Sequence, residues 1–225
     1  MRSQRNKGSQ QSQKSLFGDV CAWFRRVWAA AWTGFGTGST RQYELASMRL
    51  RLLAEARPGD VGLRERELAE ELRGMREDMR ALVASVRSCC VCAKGFPLPN
   101  GRWDGGYCCG GTTENVFSQV ELASLRASGT EPSDFRMREH EHAGCLFRGP
   151  RGCELPAAHR PNLCVRYACR MLRDEFVVRG ISEEVKHLAS KIHLAFHEFE
   201  GLRARRLERE RDEVMELSLR GLRRK

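Results

Sequence analysis

Nine of the ten cysteines in this 225-residue chain fall between Cys89 and Cys169, and that density restricts what the middle of the chain can become. Cys89, Cys90, Cys92, Cys108, Cys109, Cys145, Cys153, Cys164 and Cys169 follow one another through a stretch with few long apolar runs. Thiolates are strong, soft ligands for zinc or iron, and four of them on loops close a tetrahedral site whose binding energy can stand in for an apolar core. In a reducing compartment, adjacent pairs and C-x2-C spacing mark metal ligands more often than disulfides, whereas outside the cell the same residues could form a disulfide framework. An odd number of thiols in the cluster favours the metal, because full pairing leaves one over unless it reaches Cys21.

Composition sets the surroundings. Hydrophobic residues make up 41% of the chain and charged residues 30%, a balance that fits much exposed helix and excludes a chain disordered throughout. The formal net charge of +10 is concentrated in the first 60 residues, where ten Lys/Arg face four Asp/Glu, while residues 61–87 balance at six against six. A basic arm suits phospholipid headgroups, nucleic-acid phosphates or plain solubility. Nucleic acid is not supported as a partner, since Trp103 and Tyr107 beside Arg102 are too few aromatics to form a stacking platform.

Residues 1–15 read as a disordered basic tail. Residues 16–40 read as an amphipathic aromatic helix, with Leu16, Phe17, Val20, Trp23, Phe24, Val27, Trp28 and Trp32 at three- and four-residue steps, and a linker holding Gly34, Gly36 and Gly38. Arg25 and Arg26 interrupt the apolar face, which excludes a membrane span and argues against a secretory signal. Peripheral membrane contact through 16–33 and packing on the protein itself explain that face equally well. The expected location is cytoplasmic, with a membrane-peripheral variant.

Residues 41–87 form a helical stalk. One helix runs from Gln42 to Ala56 and stops at Pro58-Gly59; a second runs from Val61 to Arg87, with Leu68, Leu72, Met75, Met79, Leu82 and Val86 in heptad spacing. Residues 88–180 are the cysteine-cluster metal-binding domain. Residues 181–225 are one long helix that Ser182 can cap, with Glu183 and Glu184 in its first turn and a seam of Val185, Leu188, Ile192, Ala195, Phe199 and Leu202. Its continuation is a charged, solvated arm. Two seams flanking the cysteines predict an antiparallel helical pair with the cysteine module at its tip, or pairing with a protein partner or a second copy of the chain. The fold class expected is mainly α, an irregular cysteine-rich module flanked by long coiled-coil-like helices.

Within the cluster, C-x2-C lets Cys89 and Cys92 converge on one ion without backbone strain. Adjacent cysteines point in divergent directions, so Cys108 and Cys109 are not equivalent ligands of one ion. Ahead of Cys164, Pro161 fixes its own φ and disfavours helix at Arg160, so a helix can start at Pro161 and present Cys164 on its first turn. An arginine there offsets thiolate charge.

The run C-x2-C, CC, C-[LF]-[FL], C-x-[IL] and R-P-x-x-C resembles the YkgJ-type cysteine-cluster family, a zinc- or iron-chelating domain with a CxxCxxCC signature. Cys89 and Cys92 match its opening pair, Cys108 and Cys109 its double cysteine, Cys145 and Cys153 its middle pair, and Arg160, Pro161 and Cys164 its closing motif. The match covers about residues 89–170 and departs where Ala93 to Tyr107 lengthen the first spacing. Carried onto these positions, the resemblance implies Cys89, Cys92, Cys108, Cys109, Cys145, Cys153 and Cys164 as ligands of zinc or an iron-sulfur cluster, with no general reaction attached; some relatives are linked to protein methylation.

Cys90 and Cys169 lie outside that pattern, as spare thiols or ligands to a second ion, and Cys21 reads as apolar packing. His140 or His142 could complete a mixed site, though surface polarity explains them as well; His193 and His197, one helical turn apart, are expected to face water. No Ser/His/Asp or paired-carboxylate pattern and no Gly-rich nucleotide motif stands out. The function expected is a non-catalytic metal-binding or interaction module; the alternative is an iron-sulfur or metal-dependent enzyme or redox protein acting on a protein substrate.

Overall fold

The computed structural model describes residues 40–94, 96–97, 103–104, 113–137, 145–149 and 152–222. The chain divides into two units, residues 1–50 and 51–225. Only the opening of helix α1 (Thr40–Leu53) represents the first unit; the expectations for the basic tail, the aromatic helix of 16–33, its glycine linker and Cys21 lie outside the described residues.

The second unit is mainly α, as the patterning predicts. Its helices are α2 (Leu63–Leu82), α3 (Ser88–Lys94), α4 (Thr113–Val116), α5 (Gln119–Ala127), α6 (Asn162–Arg166), α7 (Arg170–Val178) and α8 (Ser182–Leu222). Two short antiparallel ladders complete it: β1 (Phe96–Pro97) with β2 (Trp103–Asp104), and β3 (Arg148–Gly149) with β4 (Gly152–Cys153).

The two heptad stripes meet. Leu68, Leu72 and Met79 of α2 are buried in one cluster with Val185, Ile192 and Phe199 of α8, and Met75, Leu82, Leu188, Ala195 and Leu202 pack against it. Ion pairs fix the antiparallel sense: Arg64 Nε lies 2.9 Å from Glu198, and Arg206 Nε lies 3.0 Å from Glu65, so the start of α2 stands beside the far half of α8. Arg203 reaches Glu55 at 2.9 Å in the same region, with both side chains nearly buried. Gly180 at φ +68 makes the turn into α8, a conformation that costs a side-chain-bearing residue about 1 kcal/mol or more. Helix α8 runs on for 41 residues, and from Leu207 to Arg220 every side chain is exposed, the solvated arm read from its charges.

Two features differ from expectation. The second stalk helix stops at Leu82 rather than Arg87: beyond it the chain turns, with Ala84 N donating to Ala81 O and Val86 N to Val83 O, and the N–H groups of Arg87 and Ser88 then donate to the Glu175 carboxylate where a new helix starts. The cysteine region also has apolar packing of its own: Phe117, Phe135 and Phe147 meet with ring centroids 5.5–5.7 Å apart, and Leu122, Leu125 and Leu146 are fully buried. These aromatics are single residues far apart in sequence, so no periodic run announces them. Among the described residues no helix is long and apolar enough to cross a membrane.

The seam predicts a sharp contrast along α8. Phe199→Ala, at a fully buried position, should lower the unfolding free energy by about 3–5 kcal/mol, whereas Leu217→Ala, 66% exposed, should change it by no more than about 0.5 kcal/mol. Urea denaturation of the two variants checks this.

Candidate metal centre

Past the end of α2, the elements carrying the cysteines close around a cavity of about 350 Å³. Cys89 and Cys90 reach it from α3, Cys145 from the segment before β3, Cys153 from β4, Cys164 from α6, and Cys169 from the residue that precedes α7. Apolar side chains such as Met79, Val165 and Phe176 supply much of the remaining wall. Cys145 is buried and the other five are half-buried.

Each cysteine-bearing element is fixed by polar contacts from elsewhere. Helix α6 begins after Pro161, and the buried Glu121 of α5 takes its first donors: Asn162 N at 2.8 Å and Asn162 Nδ2 at 3.0 Å on one carboxylate oxygen, Leu163 N at 2.9 Å on the other. A carboxylate at a helix start satisfies orphan N–H groups and complements the helix dipole. Burial pushes the Glu121 carboxyl above its ordinary value, and these donors and Arg76 pull it back.

Glu175 of α7 does the same for α3, accepting Ser88 N at 2.8 Å, Ser88 Oγ at 2.6 Å and Arg87 N at 3.0 Å. The hydrogen bonds from Ser88 and Arg87, with one from Arg179, hold its carboxyl down at about 2. Arg160 ties the third element in, donating from Nε to Leu155 O at 2.8 Å and from a terminal nitrogen to Cys153 O at 3.0 Å. The arginine of the R-P-x-x-C run thus links the loop of Cys153 to the turn of Cys164. Gly152 sits at φ +107 opposite α3, where an added Cβ would lie 3.7 Å from that of Cys89.

The charge of the wall has one sign. Arg76 and Arg148 line it and are almost wholly buried, Arg80, Arg160 and Arg166 line it as well, and no Asp or Glu is among its described residues. Arg76 donates to two neutral oxygens, Asn162 Oδ1 at 3.3 Å and Ser128 Oγ at 3.2 Å, while its Nε has no hydrogen-bond partner. Burial lowers its pKa to about 10, against the pull of Glu121, so it stays cationic at neutral pH. A buried cation with no carboxylate hydrogen-bonded to it is costly; Glu121 offsets part of that cost through space, and thiolates in the cavity would offset more.

Four of the seven cysteines expected as ligands, Cys89, Cys145, Cys153 and Cys164, therefore share one cavity. Cys92 stands on α3 with its side chain outside the described residues, as are Cys108, Cys109, His140 and His142 altogether. Cys90 and Cys169, which the motif leaves out, line the cavity too. His193 and His197 are exposed on α8, rings 4.3 Å apart, with Nδ1 of His193 2.9 Å from Arg166. Among the described residues no three Cys, His, Asp or Glu side chains converge closely enough to hold one ion.

No family model matches the chain, and no curated protein or solved structure is significantly similar to it.

The Glu175 clamp has a pH signature. Its folded value of about 2 lies below the ordinary 4.5, so its stabilisation is fully present above the ordinary value and is lost as pH falls through the folded one. Acid titration of stability should therefore show a decline across that window that Glu175→Gln removes; an identical decline in both proteins would contradict the clamp.

Proposed function

We propose that this chain is a thiolate metal-binding protein whose cavity holds zinc or an iron-sulfur centre, acting as a non-catalytic binding module. The observation that carries the reading is that six cysteines, brought from α3, the segment before β3, β4, α6 and the start of α7, line one cavity of about 350 Å³. Buried Arg76 on the same wall supports it, since its guanidinium gains from further negative charge placed in that space. The resemblance of the cysteine pattern to the YkgJ-type family points the same way.

Cys89, Cys145, Cys153 and Cys164 would hold the metal, with Cys92, Cys108 and Cys109 as further ligands from the lengthened loop. A bound metal there supplies cross-linking: it joins elements distant in sequence and keeps the thiols deprotonated. The residues around it orient the thiols, through Glu121, Glu175 and Arg160, and limit the access of water through the apolar wall. The exposed arm of α8 and the basic N-terminal segment are the parts suited to a protein partner or an acidic surface.

The test is elemental analysis of protein isolated without oxygen, with an absorption spectrum. Metal should co-purify in stoichiometric amount, brown for an iron-sulfur centre and colourless for zinc, and chelation should lower the melting temperature. Cys164→Ser should lose most of the metal and Cys21→Ser almost none. Absence of bound metal after anaerobic reconstitution, or equal loss from both variants, would overturn the proposal.

A further inference from the structure

We infer that the exposed arm of α8 is a dimerisation helix, which pairs antiparallel with the same arm of a second copy of this chain. The inference is independent of any metal in the cavity. Glu65 in the first turn of α2 holds Arg206, so α8 overshoots its partner from Leu207 onward and runs on to Leu222, about 24 Å of further helix. Every side chain from Leu207 to Arg220 is exposed.

The arm nonetheless has an apolar side, and it is not the side that packs on α2. The seam against α2 steps through Ile192, Ala195, Phe199 and Leu202. Continued at the same three- and four-residue steps, it reaches Arg206, Arg209, Glu213, Glu216 and Arg220, all of them charged. Leu207, Val214, Met215 and Leu219 fall on roughly the opposite side of the helix at 3.6 residues per turn, with Leu217 at the edge. A longer α2 would therefore leave this stripe open. A one-sided stripe on a protruding helix is the pattern of a helix that buries that side against another element.

Charge selects the occupant and its direction. Residues 203–211 carry five arginines and two glutamates, whereas residues 212–219 carry three acids and no Lys or Arg. Two parallel copies would set like charge beside like. An antiparallel pair with its two-fold axis near Val214 sets Arg209 and Arg211 of each copy beside the acidic half of the other, so the surface is complementary to itself, as a two-fold interface requires. An anionic lipid surface fits less well, because it would repel Asp212, Glu213 and Glu216. Within one arm, Glu210 pairs with Arg206 at 2.9 Å and Glu216 with Arg220 at 2.6 Å, both one turn apart, which supports the helix before it associates.

The experiment is sedimentation equilibrium of the full-length reduced protein, wild type beside Val214→Glu, with folding checked by far-ultraviolet circular dichroism. The wild type should dimerise reversibly with a Kd in the micromolar range, since the stripe offers a small interface. Val214→Glu should weaken association about tenfold or more by placing like charges at the two-fold axis. The double variants Arg209→Glu/Arg211→Glu and Asp212→Lys/Glu216→Lys should each self-associate more weakly than the wild type, also about tenfold, and should pair with each other when mixed. A photo-crosslinking residue in place of Leu207 should join to residues 214–222 of the second copy. A wild type that stays monomeric at about 0.1 mM, a dimer that Val214→Glu leaves intact, or crosslinks joining position 207 to position 207 would each overturn the inference. A monomer whose arm instead binds phosphatidylserine vesicles would overturn it too, and would assign the stripe to a lipid surface. The metal content of the same samples tests the proposed function separately.

Discussion

The apolar stripe that α2 and α8 bury in each other determines where the cysteines of residues 51–225 can stand. Leu68, Leu72 and Met79 against Val185, Ile192 and Phe199 fix two long rods side by side, and burial of side chains this large is worth about 1.5–3 kcal/mol each relative to exposure. The end of α2 and the beginning of α8 then frame one side of a space into which α3, α6, α7 and β4 deliver their thiols. Without the rods, short helices such as α6, five residues long, have too few internal hydrogen bonds to persist.

Two carboxylates turn that frame into a defined site. Glu121 and Glu175 each span a long sequence separation to take the first donors of a short cysteine helix. Both replace the missing first-turn acceptors that a short helix cannot supply. Glu121 does so in the interior, where its burial is offset by three donors and by Arg76; Glu175 does so nearer the surface, at no comparable desolvation cost. The thiols are thus positioned by protein contacts, and the Phe117, Phe135 and Phe147 cluster gives the region packing independent of any metal.

The long elements were legible in the sequence because their signal is periodic. The seams of α2 and α8, the start of α8 beside Gly180 and the helix presenting Cys164 after Pro161 all follow from local spacing and from the backbone limits of Gly and Pro. The restart of helix at Ser88 was not legible, since the acceptor that takes its first donors is Glu175, 88 residues from Arg87. For the same reason nothing local marks Glu121 as the anchor of α6, or Arg160 as a link to the carbonyl of Cys153 rather than a surface charge. A motif selects cysteines by spacing, and so it passed over Cys90 and Cys169, whose placement on the cavity depends on how α3 and α7 are clamped.

The account depends on sulfur from several elements sharing one inorganic centre. X-ray absorption at the metal edge of anaerobically prepared protein tests that most directly, because it reads the identity and distance of the ligating atoms in solution. The account predicts a first shell dominated by sulfur at about 2.3 Å. A shell of nitrogen and oxygen at about 2.0–2.2 Å would show that the metal sits elsewhere, and would contradict it.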